Sequence, residues 1–183
     1  MKDIVYVTGN AHKAEYFSKI MGMDIPHQKI DVDELQSLDL KEIVEHKARQ
    51  AYAAVKKPVI VEDTRLTFNA LGKLPGPLIK WFLEELGTDG LCSLLDNYND
   101  RSAVAGAAIA YYDGQKLQVF EESLPGIIAE MPAQTKDGFG WNKVFIPDGS
   151  DITLAEMDEE TFRGYYVQIK PFSQLSEYIN ASK

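Results

Sequence analysis

The sequence is short of cysteine, of positive charge and of long apolar runs, and each shortage excludes something. A single cysteine, Cys92, rules out an intrachain disulfide and suits a reducing compartment. It stands in the apolar pattern Leu91-Cys92-Ser93-Leu94-Leu95, which reads as core rather than as a nucleophile. Nineteen Lys and Arg against 28 Asp and Glu give a net charge of −9, so the chain lacks the basic face that a general nucleic-acid binder needs. The longest small and apolar run, Ala103 to Tyr112, falls short of the roughly 20 residues that span a bilayer. No basic stretch followed by a long apolar one opens the chain, so no secretory signal is expected, and the cytoplasm is the expected compartment. Linker-like Ser/Pro tracts, repeats and low-complexity segments are missing too. The expectation is one domain over residues 1–183, with 45% hydrophobic content to fill its core.

What is present centres on Val61-Glu62-Asp63-Thr64. Two adjacent carboxylates follow the apolar run Pro58-Val59-Ile60-Val61, which reads as a short buried strand ending near residue 62. A loop rich in Gly and Pro, Gly72 to Pro77, leads into Leu78-Ile79-Lys80-Trp81-Phe82, which reads as a helix start. Carboxylates at a strand end, beside a loop that lets backbone approach a ligand, suit a metal held against phosphates. The plainer reading is an acidic, solvated turn.

The N-terminal segment adds a second element of that kind. Asp3 to Thr8 alternates and is rich in β-branched and aromatic residues, so it reads as a strand. Gly9-Asn10 turns into residues 11–22, where Phe17, Ile20 and Met21 recur at helical spacing. Turn amides and a helix N-terminus favour an anion, and Lys13 one turn in adds a full positive charge. The Gly-x-x-x-x-Gly-Lys spacing of a Walker A loop is absent.

These segments occur in one order with others: Thr8 to Glu15, the acidic Ile30-Asp31-Val32-Asp33-Glu34, Val61 to Thr64, Phe68 to Gly72, Leu74 to Phe82, Gly138-Phe139-Gly140-Trp141 and Ala155-Glu156-Met157. The ordered set, over roughly residues 3 to 157, resembles the inosine triphosphate pyrophosphatases, which act on non-standard purine nucleoside triphosphates. The resemblance implies an elongated α/β fold with a mixed central sheet, flanking helices and two lobes around a substrate cleft. It implies hydrolysis of inosine, deoxyinosine or xanthosine triphosphate to monophosphate and pyrophosphate, dependent on Mg²⁺ or Mn²⁺, by a homodimer.

The residues themselves lay out strands near 3–8, 25–30, 58–62, 102–112, 116–123 and 126–130. Helices are expected at 11–22, 39–56, 77–86 and 88–95. Asp39 and Glu42 have the spacing of a capping box, and Ile43, Ala48, Ala51, Tyr52 and Val55 keep an apolar helical face. Ala103 to Ala110 is read as strand, despite its alanines, because the hairpin signal Asp113-Gly114 follows and the family has a strand there. Tyr165 to Ile169 looks more like strand than helix, and Pro171 would break a helix running through it, which leaves a last helix at about Ser173–Ile179.

By resemblance Glu34 and Asp63 hold the metal, Glu62 is a further candidate ligand, and Asp63 is the general base. Neighbouring strand residues point to opposite faces, so Asp63 ranks above Glu62. Thr8, Asn10 and Lys13 map to the phosphate-binding turn, and Lys80 to the lysine of the Gly-Pro-x-x-Lys segment, where an ordinary solvated lysine is the alternative. Arg65, where many relatives carry glycine, reaches either a phosphate or solvent. Phe139 and Trp141 map to the base pocket, with a core role as the alternative for Trp141; stacking on a ring contributes about 1–3 kcal/mol per base.

The resemblance breaks down in two places. Asn142-Lys143 replaces the family's Asp-Pro. After Ala155-Glu156-Met157, relatives carry a lysine and then Ser-His-Arg, which recognise the keto purine; here Asp158 to Tyr166 follows. With a deletion of about five residues, Thr161-Phe162-Arg163-Gly164 takes that place and Arg163 is kept. Without it, Tyr166-Val167-Gln168 does. In neither register does a histidine remain, because the three histidines are His12, His27 and His46. Two alternatives accompany the leading reading: the same hydrolysis with altered or broad base choice, and a catalytically weak nucleotide-binding regulatory protein.

Overall fold

The computed structural model describes residues 3–135, 138 and 140–181, apart from the side chains of Ala11 and His12. Its described elements are β1 (Val5–Val7), α1 (Ala11–Met21), β2 (His27–Gln28), α2 (Leu40–Val55), β3 (Val59–Phe68), β4 (Pro75–Gly76), α3 (Ile79–Ser93), β5 (Ser102–Tyr112), β6 (Leu117–Ile128), β7 (Phe145–Pro147), α4 (Glu159–Ile169) and α5 (Phe172–Ala181). The seven strands form one mixed sheet in the order β2-β1-β3-β5-β6-β7, with β4 paired to β3. This is the α/β class the sequence predicts. The chain divides into two compact units, Met1–Asp63 with Ala108–Glu121 and Pro171–Lys183, and Thr64–Ala107 with Glu122–Lys170.

In the first unit β1 lies parallel to both β2 and β3, with Tyr6 opposite His27 and Ile60. Parallel neighbours need crossovers, which α1 and α2 supply. Asn10 caps α1 by accepting from the Lys13 amide at 3.2 Å, and Gly22, at φ 61°, ends it. Leu40, Val44, Ala48 and Ala51 of α2 pack on Val5, Val7, Val59 and Val61 and on Ala108 and Ala110 of β5. Phe17 stacks on Tyr6 at 4.2 Å and meets Phe172 of α5 edge-on. The α2 start differs from the expected capping box. Asp39 does accept from the Lys41 amide, but Glu42 accepts from the Ser37 hydroxyl, whose oxygen accepts from the Asp39 amide. Ser37 thus stands between the two members of the box.

The second unit gathers Leu66 and Phe68 of β3, Ala103 and Ala105 of β5, Ile128, Phe145, Ile79, Leu91, Cys92, Leu95 and Ile169 into one core. Burial pushes the Cys92 thiol up to about 11, which leaves it inert as a nucleophile. Arg101 ties the unit together, donating to the carbonyls of Ile128, Cys92 and Ala129 at 2.7–2.9 Å. The two helices expected at 77–86 and 88–95 are present within Ile79–Ser93, labelled together as α3, and meet at the non-helical Gly87 (φ 66°, ψ −176°).

Four expectations need correction. Strand β3 runs to Phe68 rather than stopping near 62, so Glu62-Asp63 lie within a strand and not at its end. Its extension pairs with β4, Thr67 opposite Pro75, where proline is tolerated because only a short edge is formed. Strands 116–123 and 126–130 merge into β6 across Pro125, which pairs in turn with β7, a strand the sequence does not announce. Residues 165–169 are helix, not strand. Asp158 caps α4 by accepting from the Thr161 amide at 2.8 Å, and Phe162, Tyr165 and Ile169 turn onto the second core at helical spacing. Pro171 falls between α4 and α5, so it separates two helices instead of breaking one.

Candidate active site

The turn after β1 is built by its own side chains. Thr8 Oγ1 accepts from the Asn10 amide at 3.1 Å, and Asn10 Oδ1 accepts from that of Lys13. Both residues therefore shape the turn that presents the α1 N-terminus. Lys13, one turn in, reaches Glu62: Nζ lies 3.1 Å from Oε1.

Glu62 is the buried member of the carboxylate pair, its side chain 2% exposed, while Asp63 is 33% exposed. A buried carboxylate requires a partner of opposite charge, and Lys13 provides it. Asp63 turns instead to Lys47 of α2, with Oδ2 3.5 Å from Nζ. Lys47 Nζ also donates to the Glu62 carbonyl at 3.2 Å. Adjacent strand positions diverge to the two faces of the sheet, and each carboxylate there meets a lysine from a different helix. The result is four charged groups that sum to zero on two turns of helix and two residues of strand.

Lys47 is absent from the sequence reading. The available signal was its register on α2, between the core positions Val44, Ala48 and Ala51, on the helix that packs over β3. Spacing alone does not separate such a lysine from a solvated one.

Glu34 is exposed on the loop between β2 and α2. Its carbonyl accepts from Gln36 Nε2 at 3.4 Å, and the preceding Asp33 amide donates to Gln50 Oε1 at 2.8 Å. Among the described residues no group of three or more His, Cys, Asp or Glu side chains is placed to hold a metal. The donors that are present, Glu34, Glu62 and Asp63, are all carboxylates. Oxygen donors of that kind fit a hard divalent ion that keeps its waters and takes ligands from phosphate, such as Mg²⁺, rather than one that needs a closed protein cage.

The remaining candidates belong to the second unit. Lys80 is exposed in the first turn of α3, its Nζ 4.8 Å from the centroid of the Trp81 ring. Trp141 lies in the 3₁₀ turn Gly140–Lys143, half-buried, packed on the second core and edge-on to Phe145 at 5.9 Å. Phe139 lies outside the described residues. Gly138 has φ +115°, and a Cβ there would stand 2.6 Å from the Ala155 side chain, so the glycine allows the backbone at position 138 to come close to Ala155. Glu156 of that segment closes a capping box with Thr153, accepting from its amide at 2.9 Å and its hydroxyl at 2.8 Å. Lys143 donates to the Thr135 carbonyl at 2.7 Å.

Arg163 is exposed on α4, the helix that also carries Tyr166, Val167 and Gln168. Arg65 Nε is buried with no hydrogen-bond partner among the described residues. It lies 3.0 Å from where a Cβ of Gly106 would be, so the glycine leaves room for the guanidinium over β5.

A model of the Ham1 family matches residues 4–178 of the chain. Three solved structures are similar over nearly the full length. A HAM1 protein from Coxiella burnetii superposes with a TM-score of 0.85 at 23% identity, covering 99% of this chain and 100% of its own. The Staphylococcus aureus Ham1 protein gives 0.78 at 23% identity, with the same coverage. A Mycobacterium abscessus protein, described as a nucleoside-triphosphatase and dITP/XTP pyrophosphatase, gives 0.72 at 22% identity, covering 97% of each chain. At these identities the structural likeness shows the fold.

Proposed function

This chain belongs to the Ham1 family, and from that premise we propose that it is a nucleoside triphosphate pyrophosphatase. It cleaves between the α and β phosphates and releases monophosphate and pyrophosphate. Inosine, deoxyinosine and xanthosine triphosphates are the substrates this reading names, and removal of such nucleotides from the cytoplasmic pool is the role. The observation that carries the reading is the double pairing of Lys13 with Glu62 and Lys47 with Asp63.

Lys13 and Lys47 are the cations that meet the triphosphate, each already oriented by a carboxylate. Thr8 and Asn10 hold the turn that aims the α1 amides at the same anion. Asp63, a third exposed, accepts the proton of the attacking water; Glu62, sealed from solvent, keeps Lys13 in place. Glu34 and Asp63 would hold a Mg²⁺ or Mn²⁺ ion, which would neutralise phosphate charge and make water more acidic, whereas Glu62, occupied by Lys13, would not be free to join them. In this reading Lys80 contributes to phosphate binding and Phe139, Trp141 and Arg163 to the base. The active form is a homodimer in this reading, and all 183 residues serve one domain.

A second reading keeps the hydrolysis and widens the choice of base. It is favoured by the absence of histidine from residues 158–170. Pyrophosphate release measured over a panel of inosine, xanthosine, guanosine and adenosine triphosphates with Mg²⁺ tests both. Metal-dependent release from at least one nucleotide is expected, and the rank order decides between them.

A further inference from the structure

The acidic loop that carries Glu34 is fastened to the first unit at both ends. Ile30 packs against the core formed by β1, β3 and α2. At the other end the chain of bonds through Ser37, Asp39 and Glu42 ties the loop to the first turn of α2. Between these anchors a side chain holds the backbone: the Asp33 N–H donates to Gln50 Oε1 at 2.8 Å. Gln50 is three residues after Lys47, so one helix holds both the Asp63 carboxylate and the peptide next to Glu34.

The orientation of that amide is determined by its neighbours. A backbone N–H only donates, so Gln50 must present its oxygen to Asp33. Its NH₂ then faces Nε2 of His46, one turn earlier on α2, and donates to it. His46 Nε2 therefore accepts, and the ring proton sits on Nδ1. With the imidazole in this form a flipped Gln50 amide would lose both bonds at once. His46 thus satisfies the Gln50 NH₂ while the Gln50 oxygen serves Asp33.

We propose that Gln50 is a positioning residue for the divalent ion: it fixes the Asp33 peptide and thereby the place from which Glu34 binds metal, with His46 accepting from the Gln50 NH₂. The inference rests on the reading of Glu34 as a metal ligand. Gln50 touches neither substrate nor ion and acts only through the loop. The sequence does not mark it, because a glutamine at that register looks like any polar helix residue.

The test compares Gln50→Met, which keeps the length and loses the acceptor, with Gln50→Glu, which keeps an acceptor for Asp33. Two readouts are needed. Amide hydrogen exchange at Asp33, measured without metal or nucleotide, reports the loop. Mn²⁺ titration followed by electron paramagnetic resonance, with α,β-methylene inosine triphosphate present to prevent turnover, reports the ion. Gln50→Met is expected to speed Asp33 exchange and to weaken Mn²⁺ binding about two- to tenfold, the factor one ordinary hydrogen bond supplies. Gln50→Glu is expected to restore both. Glu34→Gln serves as the reference, weakening Mn²⁺ while leaving Asp33 exchange unchanged. If Glu34→Gln leaves Mn²⁺ binding intact, the reading of Glu34 fails and the inference with it. If Glu34→Gln weakens Mn²⁺ and Gln50→Met does not, the inference alone is overturned.

Discussion

Glu62 and Asp63 are chemically near-identical neighbours in different surroundings. One is sealed and paired with Lys13; the other keeps a third of its surface and shares Lys47. Removing one partner of a buried ion pair leaves an uncompensated charge, so substituting Lys13 or Glu62 alone is expected to cost stability whatever it does to turnover. Asp63 carries no such penalty, which makes it the cleaner probe. Asp63→Asn keeps the shape and is expected to fold normally, while turnover falls by about 10²-fold or more, the range of general-base contributions. Steady-state rates beside a denaturant melt check this; a folded variant with near-normal turnover would transfer the base to another group. Both carboxylates were legible as a pair in the sequence. Lys47 was not, because its significance depends on which strand its helix covers.

Among the elements, legibility followed the strength of local signals. Helix α2 was plain from its apolar face, and β1, β5 and the α3 break near Gly87 were all close to their expected places. The end of β3 was hidden because Glu62-Asp63-Thr64-Arg65 is a poor strand sequence, held extended by β4 and by the strands beside it. Helix α4 was misread as partly strand because Tyr165-Tyr166-Val167 favours β structure, and tertiary packing of Phe162, Tyr165 and Ile169 overrides that preference. The Asp158 cap decides where α4 starts. Bonds from the Thr161 amide and hydroxyl hold its carboxyl below the ordinary 3.8. A depressed carboxyl stabilises the folded state above its unfolded value, and that contribution fades as pH falls below 3.8 toward the folded value. Asp158→Ala is accordingly expected to raise amide exchange in the first turn of α4 at pH 7. It should remove the acid-dependent part of that exchange, which a matched series down to pH 3 would reveal.

For the molecule as a whole, a net charge of −9 means that binding an anionic substrate, as proposed, calls for local cations such as Lys13 and Lys47, helped by a divalent ion. No helix among the described residues is long and apolar enough to cross a membrane. The family and the α/β class were legible because the motifs occur in a fixed order along the chain; the groups that read the base were not, because the expected Ser-His-Arg is missing after Met157 although the family match runs on to residue 178. With no histidine at 158–170, preference for inosine over adenosine and guanosine triphosphates is expected to be weaker than in relatives with Ser-His-Arg, by about one to two orders of magnitude in kcat/KM. Arg163→Ala should flatten what preference remains. A strongly inosine-selective wild type whose selectivity survives Arg163→Ala would assign base recognition to other groups.

The central claim is the bond that breaks. Inosine triphosphate incubated with the wild-type chain and Mg²⁺, with products separated at early times, answers it directly. Inosine monophosphate and pyrophosphate in equal amounts, formed only when the metal is present and suppressed in Asp63→Asn, are the predicted result. Inosine diphosphate with orthophosphate as the first products, or release that ignores both the metal and Asp63, would contradict the account.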